Sequence, residues 1–351
     1  MKTQNLFTAE DAEDTEVLFN TPLRGEKRKY VTKSRHITPS GAANRIRSWF
    51  YSASSASSAV HAFLFFWAIA FTPAHADITV RDDTGQILRL AAPPRRIVSL
   101  APHATELLFE AGAGSRIVGA VSYSDYPEEA RRIPRVGGYR ALDMEAIAAL
   151  KPDLIVAWPS GNTPAQVEKL KQLGLPIYLS EPKRITDIAS ALERLGELTG
   201  NTGAAQQAAA RFNRQHAALR AAYTGRPPVR VFYQIWNSPL ITVSGEQIIG
   251  DAIRLCGGEN IFASLPALTA TVSLEAVLQA NPEVIVASGM AAQRPAWLDD
   301  WKRWPRLRAA MNNQLHFIPA DWINRASPRL LQGAERLCGI LDGARKGNGA
   351  Q

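Results

Sequence analysis

Aromatic side chains recur beside Gly, Pro and Asn at positions where the sequence predicts that buried strands end. Tyr123, Tyr139 and Trp158 occupy such positions in the first half of the chain, and Trp236 and Trp322 do so in the second half. For any one of these residues, burial in a core is the ordinary interpretation. As a set at strand ends, they predict a concave, mostly apolar surface on which a large flat ligand stacks.

Asp321 and Arg325 lie four residues apart in the last of these predicted loops, DWINRASP. One interpretation is a local salt bridge that holds the loop, which stabilises little if it is exposed. In a cleft, the same pair would present one acceptor and a fork of donors to amide groups on a ligand. The sequence leaves both interpretations open.

His103 follows the first predicted buried strand, in the segment APHA. It could reach a metal centre, but a lone histidine is more often a helix-start or surface residue. The sequence contains no P-loop, no G-x-S-x-G elbow, no H-E-x-x-H pair and no Cys/His ligand spacing. We therefore favour a binding protein over an enzyme.

Two segments of the chain repeat one pattern, MEAIAALKPDLIVAW at 144–158 and LEAVLQANPEVIVAS at 274–288. Each follows a residue that caps helices, Asp143 or Ser273, and each has a proline and an acid before a run of apolar residues. The unit predicts a helix, a break and a buried parallel strand. Two Rossmann-like α/β lobes built from such units would bind ligands at the carboxyl ends of their strands.

Glu145 and Glu275 occupy equivalent positions in the repeat, in the first turn of each predicted helix. The helix dipole favours an acid there, which is a sufficient structural reason for both residues. The functional interpretation is that each lobe presents one carboxylate on the same outer surface. Such a pair could dock on arginines of a partner protein through charge-assisted contacts.

An Ala-rich stretch at 202–223 predicts one long helix that joins the lobes and ends at the breaker run TGRPP. At 1.5 Å per residue it would span about 30 Å. Because such a helix makes wide hinge closure costly, we expect small movements between free and bound states. We predict four parts of the chain. These are an N-terminal extension with signal peptide at 1–76, an N-terminal lobe at 77–201, the linking helix at 202–224 and a C-terminal lobe at 225–345.

The first 76 residues have the order of parts found in a secretory signal peptide. A polar start is followed by basic residues at 45–47, an apolar run at 62–71 and the small-residue site Ala74-His-Ala76. The apolar run is short for a membrane span, although an anchor that is kept is the alternative. Cleavage near Ala76 would leave residues 77–351.

Composition narrows the class of protein further. The 351 residues are 46% hydrophobic and 21% charged, as in ordinary soluble proteins. The formal charge of +8 is scattered without a long Lys/Arg block, which argues against a nucleic-acid partner. In an exported protein, the pair Cys256 and Cys338 suggests a disulfide, with buried free thiols or a metal pair as alternatives.

The segments IVSLAPHATELLFEAG, IVGAVSYSDYP, LKPDLIVAW, CGGENIF and DWINRASPR together resemble the periplasmic cobalamin-binding proteins of ABC importers. These are class III substrate-binding proteins, in which one long α-helix joins two lobes, and they have haem- and siderophore-binding relatives. The resemblance spans nearly all of residues 95–342. It implies a periplasmic monomer that is not an enzyme, binds vitamin B12 as cargo without a cofactor or metal of its own, and delivers it to the permease and ATPase subunits.

Carried over position by position, the resemblance implies a role for each matched residue. Glu145 and Glu275 match glutamates that dock on arginines of the permease, and Cys256 and Cys338 match a disulfide. Ligand contacts are implied at Tyr123, Tyr139, Trp158, Trp236, Asp321, Trp322, Ile323, Asn324 and Arg325. The alternatives are a haem- or ferric-siderophore-binding protein, in which His103 or Tyr123 could be an axial ligand to haem, and an exported enzyme on the same scaffold.

Overall fold

The N-terminal lobe begins with a β-hairpin and continues as a parallel α/β sheet. The computed structural model describes residues 77–138, 140–288 and 293–348, so the predicted signal segment and Tyr139 lie outside the described residues. The strands of this lobe are β1 (Ile78–Arg81), β2 (Ile87–Leu90), β3 (Ile97–Ser99), β4 (Ile117–Ala120), β5 (Leu154–Ala157) and β6 (Ile177–Leu179). Its helices are α1 (Pro102–Glu110), α2 (Met144–Ala149), α3 (Pro164–Gln172) and α4 (Ile185–Thr199), with short 3-10 helices at Gly114–Arg116 and Glu128–Arg132.

The predicted edge hairpin is present, with β1 and β2 paired antiparallel around a turn in which Gly85 has φ +88°. The main sheet has the strand order β4-β3-β5-β6, and all its pairings are parallel. Strands β3 and β5 are buried along their whole length, as expected when helices cover both faces of a parallel sheet. The carboxyl ends of β3, β4 and β5 therefore open into loops at one edge.

The predicted linking helix is α5, which runs over Thr202–Tyr223. Its first half packs closely on α4, where a side chain at Gly196 would overlap the methyl group of Ala205. Phe212 is buried in the middle of α5. The second half of the helix is mostly exposed and touches the core through the partly buried Leu219 and Tyr223. The helix is thus anchored mainly at its N-terminal end.

The C-terminal lobe is a mixed sheet with the order β10-β8-β7-β11-β12, and β9 pairs with the start of β7. The strands β7, β9, β11 and β12 run parallel, whereas β8 is antiparallel to both of its neighbours, β7 and β10. The strands of this lobe are β7 (Val229–Asn237), β8 (Leu240–Val243), β9 (Gly258–Asn260), β10 (Thr269–Thr271), β11 (Val284–Ala287) and β12 (Leu315–Phe317). The helices are α6 (Ile248–Leu255), α7 (Leu274–Ala280), α8 (Arg308–Met311), α9 (Ala320–Ile323) and α10 (Leu330–Asn348), with a 3-10 helix at Ala296–Arg303.

One apolar cluster runs through both lobes and includes residues of α5. Two smaller clusters cover the other faces of the two sheets, one in each lobe. Residues 77–348 accordingly belong to one compact unit. Among the described residues, none of the helices has the length and apolar character that crossing a membrane requires.

Cys256 and Cys338 form a disulfide, which joins the end of α6 to α10. Both cysteines are fully buried. The disulfide interpretation is therefore confirmed, and the alternatives of free thiols and a metal pair are wrong for these two residues. In the part of the chain that the structure describes, no group of His, Cys, Asp or Glu side chains is arranged to hold a metal ion.

Candidate ligand-binding site

The loops that follow β4 and β12 meet through an ion cluster that crosses from one lobe to the other. Arg325 Nη1 lies 2.9 Å from Asp125 Oδ1 and 2.9 Å from Glu106 Oε1, both on the N-terminal lobe. Arg325 Nη2 lies 2.6 Å from Asp321 Oδ1, four residues earlier. Arg329, in the same lobe as Arg325, also pairs with Glu106. These five residues form the inter-lobe cluster.

Glu106 is the centre of the inter-lobe cluster. It lies on α1, and its side chain is only 1% exposed. Its Oε1 accepts hydrogen bonds from Nη1 of Arg325 and Nη2 of Arg329. Its Oε2 accepts from Ser327 Oγ at 2.6 Å and from Arg329 Nε at 3.0 Å. Four donors thus satisfy the buried carboxylate, as a charge removed from water requires.

Arg325 is held by carboxylates from both lobes, and its side chain is only 11% exposed. Burial works against the charged form, but the charges of Glu106 and Asp321 outweigh it and raise the pKa of the guanidinium above its ordinary value. The predicted local salt bridge with Asp321 is therefore present. The guanidinium also binds two acids of the opposite lobe, which the sequence did not predict.

The loop after β4 carries Tyr123 and is held by contacts at its middle and its end. Arg135 Nη2 donates to the Ser124 carbonyl at 2.9 Å, and the guanidinium of Arg329 lies 4.0 Å over the Tyr126 ring. Tyr123 has φ 64°, in the left-handed region that few residues other than glycine adopt. About half of its surface is exposed. A fixed loop therefore presents this ring to solvent beside the inter-lobe cluster.

Trp158 follows β5, and polar contacts fix the orientation of its indole. Its Nε1 donates to Glu181 Oε1 at 3.0 Å, and its backbone N–H donates to Asn162 Oδ1 at 2.6 Å. Glu181 is itself held by Asp83 of the hairpin, whose Oδ2 accepts from the Glu181 backbone N–H at 2.6 Å. A side chain at Gly161 would overlap the indole. The ring is thus a rigid, half-buried surface.

His103 lies in the first turn of α1 and packs against Trp158. The two rings meet edge to face with centroids 5.4 Å apart. Burial lowers the pKa of His103 to about 4, against the opposing effects of the Ser180 backbone and the Glu106 charge. The imidazole is therefore neutral at neutral pH, and its Nε2 has no hydrogen-bond partner among the described residues. The helix-start interpretation is confirmed, whereas the surface interpretation is wrong because the ring is 5% exposed.

Trp236 lies within a strand rather than in a loop between a strand and a helix. It is near the end of β7 and pairs with Ile241 of the antiparallel strand β8. Its Nε1 donates to the Ser238 carbonyl at 3.0 Å, within the same hairpin. The expectation that a buried strand has ended at Trp236 is therefore corrected, because β7 continues to Asn237 and turns directly into a hairpin with β8. Its contact with a ligand stays a prediction.

Trp322 lies on α9 and is 36% exposed. It lines a groove of about 730 Å³ beside β12 and α10, together with His316 and Arg336. Tyr123 and Trp158 do not line this groove. Trp322 therefore borders a groove of the C-terminal lobe. Its contact with a ligand stays a prediction.

The centre of the last loop faces inward. Ile323 is fully buried in the apolar cluster, so the expected ligand contact is corrected for this side chain, because it is packed in the core. Asn324 Oδ1 accepts from the Tyr233 hydroxyl at 2.9 Å, and its Nδ2 donates to Ser288 Oγ at 3.3 Å. These contacts fix the loop on the C-terminal lobe and so position Arg325.

The repeat places Glu145 and Glu275 in matching environments. Each lies in the first turn of its helix, α2 or α7, and each is exposed. The preceding Asp143 and Ser273 cap these helices, accepting from a backbone N–H at 2.9 and 3.2 Å. Within the described residues, neither glutamate takes part in an ion pair. Both carboxylates are therefore available to a partner protein.

Sequence reasoning missed Glu106, Asp125, Ser327 and Arg329. One signal was present, because Glu106 lies in the apolar segment TELLF, and a charge on an apolar helix face needs a buried partner. The identity of that partner could not be read from the sequence. Glu106 and Arg325 are 219 positions apart, so only the packing of the two lobes brings them together.

Comparisons with known proteins agree with this architecture. The chain matches the model of a family described as periplasmic binding protein over residues 97–322. It is 41% identical over 249 residues to a vitamin B12-binding protein of Vibrio parahaemolyticus, and the aligned region covers 70% of this chain and 89% of that protein. It is 40% identical over 264 residues to a vitamin B12-binding protein of Vibrio cholerae, and the aligned region covers 75% of this chain and 95% of that protein.

Solved structures extend the comparison. The crystal structure of the periplasmic vitamin B12 binding protein of Vibrio cholerae matches with a TM-score of 0.67 and 40% identity, covering 72% of this chain and 99% of that one. A periplasmic haem-binding protein from Roseiflexus sp. RS-1 matches with a TM-score of 0.63 and 21% identity, covering 71% and 98%. At that identity, the second likeness shows the fold alone.

Proposed function

Because this chain belongs to the periplasmic binding protein family, whose members are not enzymes, we propose that it binds vitamin B12 or a related corrinoid for an ABC importer. The observation that carries this proposal is the identity of 40–41% over 89% and 95% of two proteins named for vitamin B12 binding. The chemistry of the site supports the same ligand.

Cobalamin is a large, rigid macrocycle whose rim carries primary amides. The exposed ring of Tyr123 and the fixed indole of Trp158 offer flat apolar surface for such a macrocycle. Asp125 and Asp321, about 40% exposed, offer acceptors for the amide N–H groups. Tyr139, Trp236 and Trp322 are proposed as further aromatic contacts.

Delivery to the membrane is assigned to the two glutamates of the repeat. Glu145 and Glu275 stand at equivalent positions on the two lobes, and neither is used by an ion pair within the described residues. Arginines on the two permease subunits of an importer would bind them through charge-assisted contacts. We propose that the protein acts as a monomer in the periplasm, after cleavage of the signal peptide near Ala76.

Ligand titrations test the proposed ligand. Purified protein is titrated by calorimetry and absorbance with cyanocobalamin, haemin and a ferric hydroxamate. We expect saturable 1:1 binding of cyanocobalamin and none of the other two at the same concentrations. Saturable binding of haemin without binding of cyanocobalamin would overturn the proposal in favour of a haem carrier.

A docking assay tests the role of the glutamates separately. The double variant Glu145→Ala, Glu275→Ala should bind cyanocobalamin like the parent protein but bind the reconstituted permease and ATPase complex more than tenfold more weakly, since it lacks two charge-assisted contacts. Glu168→Ala, an exposed acid on α3 outside the repeat positions, is the matched control. Equal loss of ligand binding and docking would contradict the assignment.

The N-terminus of the exported protein tests the proposed processing. We expect mass spectrometry of periplasmic material to show a chain that begins at Asp77. A chain that keeps residues 62–71 would favour a retained membrane anchor.

A further inference from the structure

We propose that Asp125 and Asp321 select ligands whose rim carries neutral amides and reject ligands whose rim carries carboxylates. The inference rests on the proposed function and narrows its ligand class. Arg325 would then act as a positioning residue, which holds the two aspartates and does not itself bind an anionic ligand. Three observations on the inter-lobe cluster lead to this conclusion.

The cations of the cluster are already paired with acids of the protein. Arg325 places its two terminal nitrogens 2.6–2.9 Å from oxygens of Glu106, Asp125 and Asp321. Arg329 gives its Nε and one terminal nitrogen to Glu106. Both arginine side chains are only 11–12% exposed. A carboxylate on a ligand would therefore have to compete with acids of the protein for these guanidinium groups.

The exposed ends of the cluster are acceptors. The side chains of Asp125 and Asp321 are 39% and 42% exposed, whereas Glu106 is sealed at 1%. Each aspartate uses its Oδ1 for Arg325, and no hydrogen bond among the described residues engages Oδ2 of either. An ionised carboxylate accepts hydrogen bonds and donates none. The open positions therefore suit the N–H groups of primary amides.

The charge of the cluster favours the same class of ligand. Three carboxylates against two guanidinium groups leave one negative charge. The neighbouring Arg135 uses its guanidinium on the carbonyls of Ala130 and Ser124. A ligand carboxylate 5–6 Å from an exposed aspartate would be repelled enough to weaken binding on the order of tenfold. A neutral amide at the same place gains a hydrogen bond instead.

The test compares one ligand with its own hydrolysis products. Cyanocobalamin and its three monocarboxylates, each with one propionamide arm converted to a carboxylate, are titrated into the purified protein at pH 7.5. We expect at least one isomer to bind about tenfold more weakly than cyanocobalamin, with a difference that shrinks in high salt. Asp125→Asn and Asp321→Asn should each strengthen binding of that isomer several-fold relative to binding of cyanocobalamin, so that the ratio of the two affinities moves towards one.

The matched control is Asp300→Asn, an exposed acid of the C-terminal lobe outside the cluster, which should leave the ratio of affinities unchanged. The selectivity proposal is overturned if all three monocarboxylates bind as tightly as cyanocobalamin, or if the aspartate variants change both affinities in parallel. Those results leave the proposed function intact. Failure of cyanocobalamin itself to bind would overturn the proposed function and the selectivity with it.

Discussion

Replacement of Glu106 by glutamine is the sharpest test of how the two lobes are joined. The substitution keeps the size of the side chain and removes the charge that Arg325 and Arg329 share. Arg325 would keep its contacts with Asp125 and Asp321. Arg329 would keep the Tyr126 ring but lose its carboxylate partner. The variant therefore leaves one buried cation without a counter-charge.

The expected loss follows from burial of the groups involved. Breaking a buried ion pair by removing one partner costs about 3–5 kcal/mol, because the remaining charge is left in a poorly solvated place. Glu106 is 1% exposed and Arg329 is 12% exposed, so solvent screens their interaction little. We expect Glu106→Gln to lower the free energy of unfolding by about 3–4 kcal/mol, at the lower end of that range because Arg325 stays paired.

Urea unfolding at pH 7, followed by circular dichroism, measures this loss. Glu110→Gln is the matched control on the same helix, because the side chains of the Glu110–Arg211 pair are 32% and 55% exposed and the pair should contribute less than about 1 kcal/mol. Adding Arg329→Gln to Glu106→Gln should recover part of the loss, since the unpaired cation is then removed. A loss for Glu106→Gln no larger than that of the control would refute the reasoning.

Three further predictions follow from features of the fold. Replacing Cys256 and Cys338 by serine should lower the free energy of unfolding by about 4 kcal/mol in urea, because the disulfide closes a separation of 82 residues. His103→Gln should flatten the pH dependence of stability between pH 6.5 and 4. The neutral imidazole, with its pKa lowered to about 4, stabilises the fold by about 3 kcal/mol above pH 6.5, and this is lost as the pH falls to 4. Gly161→Ala should shift the Trp158 fluorescence and weaken cyanocobalamin binding, because the added methyl group would overlap the indole.

Each of these predictions has a clear contrary result. Reduction of the disulfide by dithiothreitol should reproduce the loss seen with the serine variants, and an unchanged urea midpoint would contradict it. If the free energy of unfolding changes equally with pH in the parent and in the His103→Gln variant, this histidine does not cause the pH dependence. Gly203→Ala, in the open first turn of α5, is the control for Gly161, and equal effects of the two would refute the steric argument.

The sequence predicted the architecture well, because periodicity and breaking residues act locally. The copies of the repeat at 144–158 and 274–288 form helices and buried strands in both lobes. The long helix begins at Thr202 and ends at Tyr223, as its composition and the following breaker run predict. Helix α1 begins at Pro102, because proline is well tolerated in the first turn.

The candidate site was harder to predict, because it depends on how side chains are oriented after the lobes pack. The loop segments were found, but the sequence does not show that Ile323 turns inward or that Trp322 lines a groove beside α10. The interaction of Arg325 with Glu106 was invisible for the same reason. Pairing of charges distant in the chain is decided by tertiary packing, which no local pattern encodes.

The uneven burial of α5 has a mechanical consequence. The helix is fixed at one end by Ala205 and Phe212, while its far end rests on the partly buried Leu219 and Tyr223. The N-terminal half of α5 is therefore held more tightly than its C-terminal half, and any bending of the helix would concentrate in the C-terminal half. Displacement of the C-terminal lobe would strain the backbone after Phe212 while the clamped turns stayed in register with α4.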